Sequence, residues 1–306
     1  MRIFRGLEEV SGIRNPVVTT GSFDGVHIGH KTILNRLKML AEKYNGESVL
    51  ITFHPHPRKV LYPDTAGKNL KLINSQEEKL KLLREAGLDN VIIVEFTKEF
   101  SRITSEEFVS EYLYKILKSK VIVVGFNHHF GFNQEGDYKH LWQWQEKYNF
   151  EAEEIPEQEV RHETVSSTKI RKAIGEGYIQ RANAYLDHYY MIMGIPAISG
   201  TSGLPGRMKF VSIPITEESK LMPSPGLYAV SVLTGQIRSK AMAFIHKYPD
   251  GNSEVLVNIF ENEDQFIGKN CSVLFHKKIY GVVSPDDPRI EYRLSSVVDE
   301  ISDLIF

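Results

Sequence analysis

The chain has 306 residues, 42% apolar and 25% charged, a globular composition long enough for two domains with separate cores and unlike that of a disordered or fibrous protein. Its 37 basic and 39 acidic side chains nearly cancel, so no overall field draws it to nucleic acid or anionic lipid, and no run approaches the roughly 18 apolar residues a membrane helix needs. Cys271 has no partner for an intrachain disulfide, and the first residues lack the apolar core of a secretory signal, so a reducing, cytoplasmic setting is expected.

From Val17 to about Leu186, short β-branched runs (VVTTG, SVLITF, NVIIVEF, KVIVVGF) alternate with helical patterns over 31–44, 76–86, 105–117 and 138–148. That alternation predicts an α/β domain with a parallel sheet covered on both faces, its ligand beyond the carboxyl ends of the strands. Near His188 the rhythm changes to a turn-rich stretch, GIPAISGTSGLPG, and then to KFVSIPI, LYAVSVL, AMAFIHK, EVLVNIF and CSVLF. These predict an all-β barrel or sandwich, followed by a helix over 295–305. The expected domains are 1–187 and 188–306.

The segment GSFDGVHIGHK follows the first of these strands and opens the first helix. Gly21, Gly25 and Gly29 permit close backbone approach, Ser22, Phe23 and Asp24 complete the turn, and the helix start offers unpaired N–H donors to an anion. His27 and His30, three apart, can project to one side as hydrogen-bond donors and hold a polyphosphate. Asp24 can reach a phosphate-bound magnesium through water or stabilise the turn itself. There is no Gly-Lys-Ser/Thr ending and no GxGxxG spacing, which argues against a Walker kinase and a dinucleotide-dependent dehydrogenase. A second helix start lies in VSSTKIRKAI, where Ser166, Ser167 and Thr168 can cap the helix or, with Arg171, grip phosphate.

HxGH after a strand resembles the signature of the nucleotidyltransferase superfamily, whose domain is Rossmann-like, and GSFDGVHIGH resembles its flavin branch. SSTKIR is similar to the SSTxIR motif of the prokaryotic riboflavin kinase/FAD synthetases, TFHPHP to their TFxPHP, and VVGFNHHFG to their VGx(D/N)FxFG. The resemblance implies transfer of AMP from ATP to FMN, giving FAD and pyrophosphate. It places His27, His30 and Arg171 in catalysis, the two helix starts on ATP, and His54, Pro55, His56, Asn127 and His128 around the flavin. Independently, Asn127 can pair with the polar edge of a planar ring, and Phe53, His128 and Phe130 can stack on it or pack in the core. The histidines also admit a transition-metal site, but no structural-zinc spacing accompanies them; magnesium is expected to arrive with ATP, and no protein-bound metal is expected.

For the second domain the resemblance implies a six-stranded riboflavin kinase barrel, with PSPGLYAVSV as its PxxGVYAV strand, Glu254 as its catalytic glutamate, and Arg289 and Glu291 in its RxExKFxS segment. Its GxxLGFPTAN motif corresponds to RMKFVSIPIT, where Ile213 and Ile215 stand in place of Thr and Asn. Isoleucine offers no oxygen to magnesium, so kinase activity is not expected from this domain. The partners implied are ATP, FMN and FAD, with riboflavin as a further candidate. The alternatives are a fully bifunctional enzyme, transfer to a different phosphorylated acceptor, and a non-catalytic flavin-binding regulator.

Overall fold

The computed structural model describes residues 1–126, 128–156, 159–160, 163–198, 209–248, 251–281 and 290–305. Asn127 and Arg289 lie outside the described residues, and so does the side chain of Glu291. The chain divides into two compact units, Met1–Leu70 with Lys79–Val165, and Lys71–Glu78 with Ser166–Phe306. This division groups SSTKIR with the β-rich part, whereas the expected functional boundary falls at 187/188.

In the first unit, β1 (Arg2–Arg5), β2 (Val17–Thr20), β3 (Ser48–His54), β4 (Asn90–Glu95), β5 (Val121–Gly125) and β6 (Glu151–Ile155) form one sheet in the order β1-β4-β3-β2-β5-β6. Every pairing in it is parallel. The four central strands are the β-branched runs of the sequence, buried almost without interruption because helices cover both faces. The outer strands RIFR and EAEEI have exposed positions and no continuous apolar run, so periodicity does not reveal them.

Helix α1 (Ile28–Lys43) starts three residues before the expected position and buries Leu34, Leu37, Leu40 and Ala41, packing against β2, β3 and β5. Then come the short α2 (Pro57–Leu61) and α3 (Gln76–Glu85). The pattern over 105–117 begins as α4 (Ser105–Glu107), capped by Thr104, and passes into a π-helix, Phe108–Ile116. Phe108, Val109 and Leu113 of the π-helix join Val18, Ile51, Ile92 and Ile122 in one core, with Leu141 of α5 (Tyr138–Trp144). A separate antiparallel pair, β7 (Glu159–Val160) and β8 (Glu163–Thr164), follows.

The second unit opens with α6 (Ser167–Glu176), stopped by Gly177 at φ +83°, and α7 (Ile179–Leu186). Next are β9 (Tyr190–Gly194), β10 (Ala197–Ile198), β11 (Val211–Ser212), β12 (Gly226–Thr234), β13 (Ile237–Lys247), β14 (Ser253–Ile259) and β15 (Cys271–Tyr280). They form an antiparallel sheet in the order β10-β11-β14-β13-β12-β15-β9, a half-barrel of seven described strands where the resemblance implied six. KFVSIPI contributes only Val211–Ser212, since Pro214 has no N–H to continue a ladder. The last helix, α8 (Ile290–Leu304), begins five residues before the expected start. Its Leu294, Val297 and Ile301 pack on Leu227, Met242, Phe244 and Leu256 and seal one face of the sheet. Elsewhere in this unit the Lys220 ammonium is buried against the Glu78 carboxylate at 2.5 Å and donates to the carbonyls of Ile73 and Met191. Among the described residues no helix is long and apolar enough to cross a membrane.

Candidate active site

The order of the parallel sheet reverses between β2 and β5, and at that switch point an α/β sheet opens a crevice beyond its strand ends. The loop after β2 carries GSFDGVHIGH, and the loop after β5 carries His128. Thr20, the last residue of β2, hydrogen-bonds His128 Nε2 at 3.0 Å and ties the two rims together. The β2 loop is tightly wound: Phe23 and Val26 adopt φ of +49° and +40°, and Gly25 sits at +91°.

This winding delivers Phe23 onto the first turn of α1. The rings of Phe23 and His30 stack at 4.4 Å, and those of His30 and His27 at 3.7 Å with 18° between their planes. His27 is the N-cap residue and is 7% exposed. A Cβ at Gly29 would lie 3.3 Å from the His27 ring, so the small residue between the two histidines makes room for the stack. His30 Nδ1 is buried without a hydrogen-bond partner among the described residues. Burial, and then the neighbouring His27 and Lys79, hold the His30 pKa well below its ordinary value. Burial, with His129 beside it, pushes that of His128 down to about 4. Both imidazoles are therefore neutral at pH 7, each with one N–H to offer.

A cavity of about 780 Å³ opens over the stack. One side is polar, with Gly21, Ser22, Gly29, His56, Arg58 and His129 joining the two stacked histidines and His128. The other is apolar and aromatic, built from Phe53, Phe96, Phe100, Phe108 and Phe130, several in edge-on contact. No Asp or Glu lines it among the described residues, so the lining suits an anion joined to a flat apolar group.

The expected residues fall into distinct groups. Gly21, Ser22, Phe23, His27, Gly29, His30, His56 and His128 line this cavity, with His56 also capping α2 by accepting from Arg58 N at 3.2 Å. Asp24 and Gly25 are buried and not among its described lining residues, and neither are His54 and Pro55 at the end of β3. In the second unit, Ser166 caps α6 by accepting from Lys169 N, Ser167 and Thr168 form its first turn, and Arg171 is half-buried one turn further on. Glu254 on β14 is half-buried and accepts from the exposed Tyr248 hydroxyl at 2.5 Å. Ile213 is 1% exposed, a core residue packed against Gly194, while Ile215 is half-buried.

Sequence reading passed over Lys79, which is 8% exposed. Its ammonium donates to Thr52 Oγ1 at 3.1 Å and to the Ser22 carbonyl at 3.4 Å, beneath the loop that bears Phe23. A signal was present: the buried positions Leu82 and Leu83 continue backward, at three- and four-residue spacing, onto Lys79 and Glu78. Charge at positions where a helix should be apolar marks a group with a special partner.

A family model described as FAD synthetase matches residues 11–169. Among curated proteins, the bifunctional riboflavin kinase/FMN adenylyltransferase of Listeria monocytogenes is 30% identical over 87% of this chain and 81% of its own length. That of Escherichia coli K12 is 29% identical over 91% and 90%, and that of Bacillus subtilis 28% identical over 86% and 84%. A crystal structure titled as a macrolide-efflux protein from Streptococcus pneumoniae has the same fold, with a TM-score of 0.85, 24% identity, and 98% and 97% of the two chains covered.

Proposed function

Because this chain belongs to the bifunctional riboflavin kinase/FMN adenylyltransferase family, with a FAD synthetase domain over residues 11–169, we propose that it joins FMN to the AMP part of ATP at the cavity above the His27–His30 stack. A phosphate oxygen of FMN forms a bond to the α-phosphorus, the bond from that phosphorus to the bridging oxygen breaks, and pyrophosphate leaves with the electron pair. The nucleophile is already an anion, so no protein base is needed, and catalysis comes from alignment and from donors facing the charge that builds on phosphate. His27 and His30 supply those donors from fixed, stacked rings. Loop residues Gly21 to Gly25, with Gly29, hold the nucleotide, and Ser166, Ser167, Thr168 and Arg171 serve its departing end. His54, Pro55, His56, Asn127 and His128 serve the flavin, whose ring the aromatic wall suits. The observation that carries the proposal is the stacked imidazole pair at the sheet switch point, in a cavity whose described lining holds no carboxylate.

Magnesium fits this chemistry as an ion carried by the triphosphate. The described residues contain no group of three or more His, Cys, Asp or Glu suited to hold a metal, and histidine is a poor ligand for so hard a cation. A cytoplasmic setting is part of the same proposal, supported by a single cysteine, Cys271, that forms no disulfide.

For the second unit, Ile213 fills core volume and Ile215 brings no oxygen, which supports a barrel without riboflavin kinase activity. The second reading, a fully bifunctional enzyme, is favoured by relatives whose names carry both activities. Incubation of the purified chain with ATP, magnesium and either FMN or riboflavin, followed by chromatography of the flavins, separates them. FAD from FMN and no FMN from riboflavin is the expected result. FMN from riboflavin establishes the bifunctional reading, and no FAD from FMN refutes adenylyl transfer.

A further inference from the structure

Lysine is almost never buried without a compensating role. Lys79 holds a hydroxyl on β3 and a carbonyl in the β2 loop at once, through Thr52 at 3.1 Å and Ser22 at 3.4 Å. Ser22 precedes Phe23, whose ring packs on His30, which in turn packs on His27. We propose that Lys79 is a positioning residue for adenylyl transfer: it fastens the Gly21–Gly25 loop to β3 and places a fixed positive charge behind the histidine stack. The inference rests on the adenylyl-transfer reading of the cavity and adds a residue to it.

Two consequences follow from the geometry. Without the ammonium the loop keeps its direct bonds to β3, Gly21 N to Ile51 O at 3.0 Å and Thr52 Oγ1 to Ser22 O at 3.3 Å, but loses the donor that braces both Thr52 and Ser22; donors displaced by about 1 Å can lose a hundredfold in rate. The ammonium also lowers the affinity of His30 for a proton, together with burial and His27. The other described groups along the cavity wall that carry or can take up charge are Arg58, His56, Tyr62, His128 and His129, and the buried Asp24 lies in the β2 loop itself.

The test compares Lys79→Met, which keeps the length and removes the charge, with Lys79→Arg, which keeps the charge and alters the fit. FAD formation is measured by chromatography, and the His30 ring is titrated by NMR in the full chain without nucleotide. Lys79→Met is expected to lower kcat by about ten- to a hundredfold and to move the His30 titration to higher pH. Lys79→Arg is expected to lose rate while leaving that titration near its wild-type position. An unmoved His30 titration in folded Lys79→Met, or an unchanged kcat, overturns the proposal. Should Lys79→Met not fold, Lys79→Gln keeps a donor and removes the charge; a His30 titration moved to higher pH supports the role, and an unmoved one refutes it. Wild-type protein that makes no FAD refutes the adenylyl-transfer reading itself, a result distinct from any shift or constancy of the His30 titration.

Discussion

Two places in this molecule invite a phosphate, and they are built differently. At the end of β2 the polar groups are held before any substrate arrives: two imidazoles stacked at 3.7 Å, a third histidine bonded to Thr20, and a buried lysine tied to two elements. On β14 the sole expected catalytic group, Glu254, is half-buried and bonded to the exposed Tyr248, and the nearby motif position Ile213 belongs to the core. Fixed dipoles need no reorganisation when charge develops, whereas groups open to solvent do. The first place therefore has the preorganisation that the proposed adenylyl transfer calls for, whereas at the second the motif positions Ile213 and Ile215 bring no side-chain oxygen beside Glu254.

Breaking the first arrangement should have the largest effect. His30→Ala is expected to slow FAD formation by about 100- to 1000-fold, the usual cost of one such donor, while the fold persists as judged by circular dichroism. Gly29→Ala introduces a Cβ about 3.3 Å from the His27 ring and should cost about tenfold in kcat with an unchanged unfolding midpoint, because the ring tilts without loss of core.

A pH series sharpens the same contrast through stability. The folded pKa values of His30, His128 and His276 all lie below their ordinary 6.5, the last two near 4, chiefly through burial. The unfolded chain thus binds more protons in this range, so the stability present above pH 6.5 is lost as pH falls toward 4. Thermal unfolding followed from pH 7 to pH 4 should show this decline. His276→Gln, which removes the imidazole bonded to Ser231 in the second unit, should make it shallower without altering FAD formation. The smallest effect is expected on β14: Tyr248→Phe frees the Glu254 carboxylate and should leave FAD formation within about twofold of wild type.

The legible parts of the fold were those with strong periodicity or with chemistry at a turn. The four central strands announce themselves because both faces are buried, and HxGH, TFHPHP and SSTKIR mark strand ends and helix starts by residue type alone. Edge strands β1 and β6 are hidden by their charged, exposed positions, and α8 begins at Ile290, inside a segment read from its motif rather than its helical spacing. The stack of Phe23 on His30 needs positive φ at a phenylalanine, which local preference argues against and only the closed loop imposes. Lys79 lies 49 positions after His30 in the sequence, and its role emerges only once β3 and the β2 loop are brought together by parallel pairing.

Adenylyl transfer at the stacked histidines is tested most directly by following the α-phosphorus of ATP. With ATP labelled at that atom, FMN and magnesium, the wild-type chain should place the label in FAD in equal amount to the pyrophosphate released, and the His27→Ala/His30→Ala double variant should place almost none. Label that stays out of the flavin, or that enters it as fast in the double variant as in the wild type, would contradict the account.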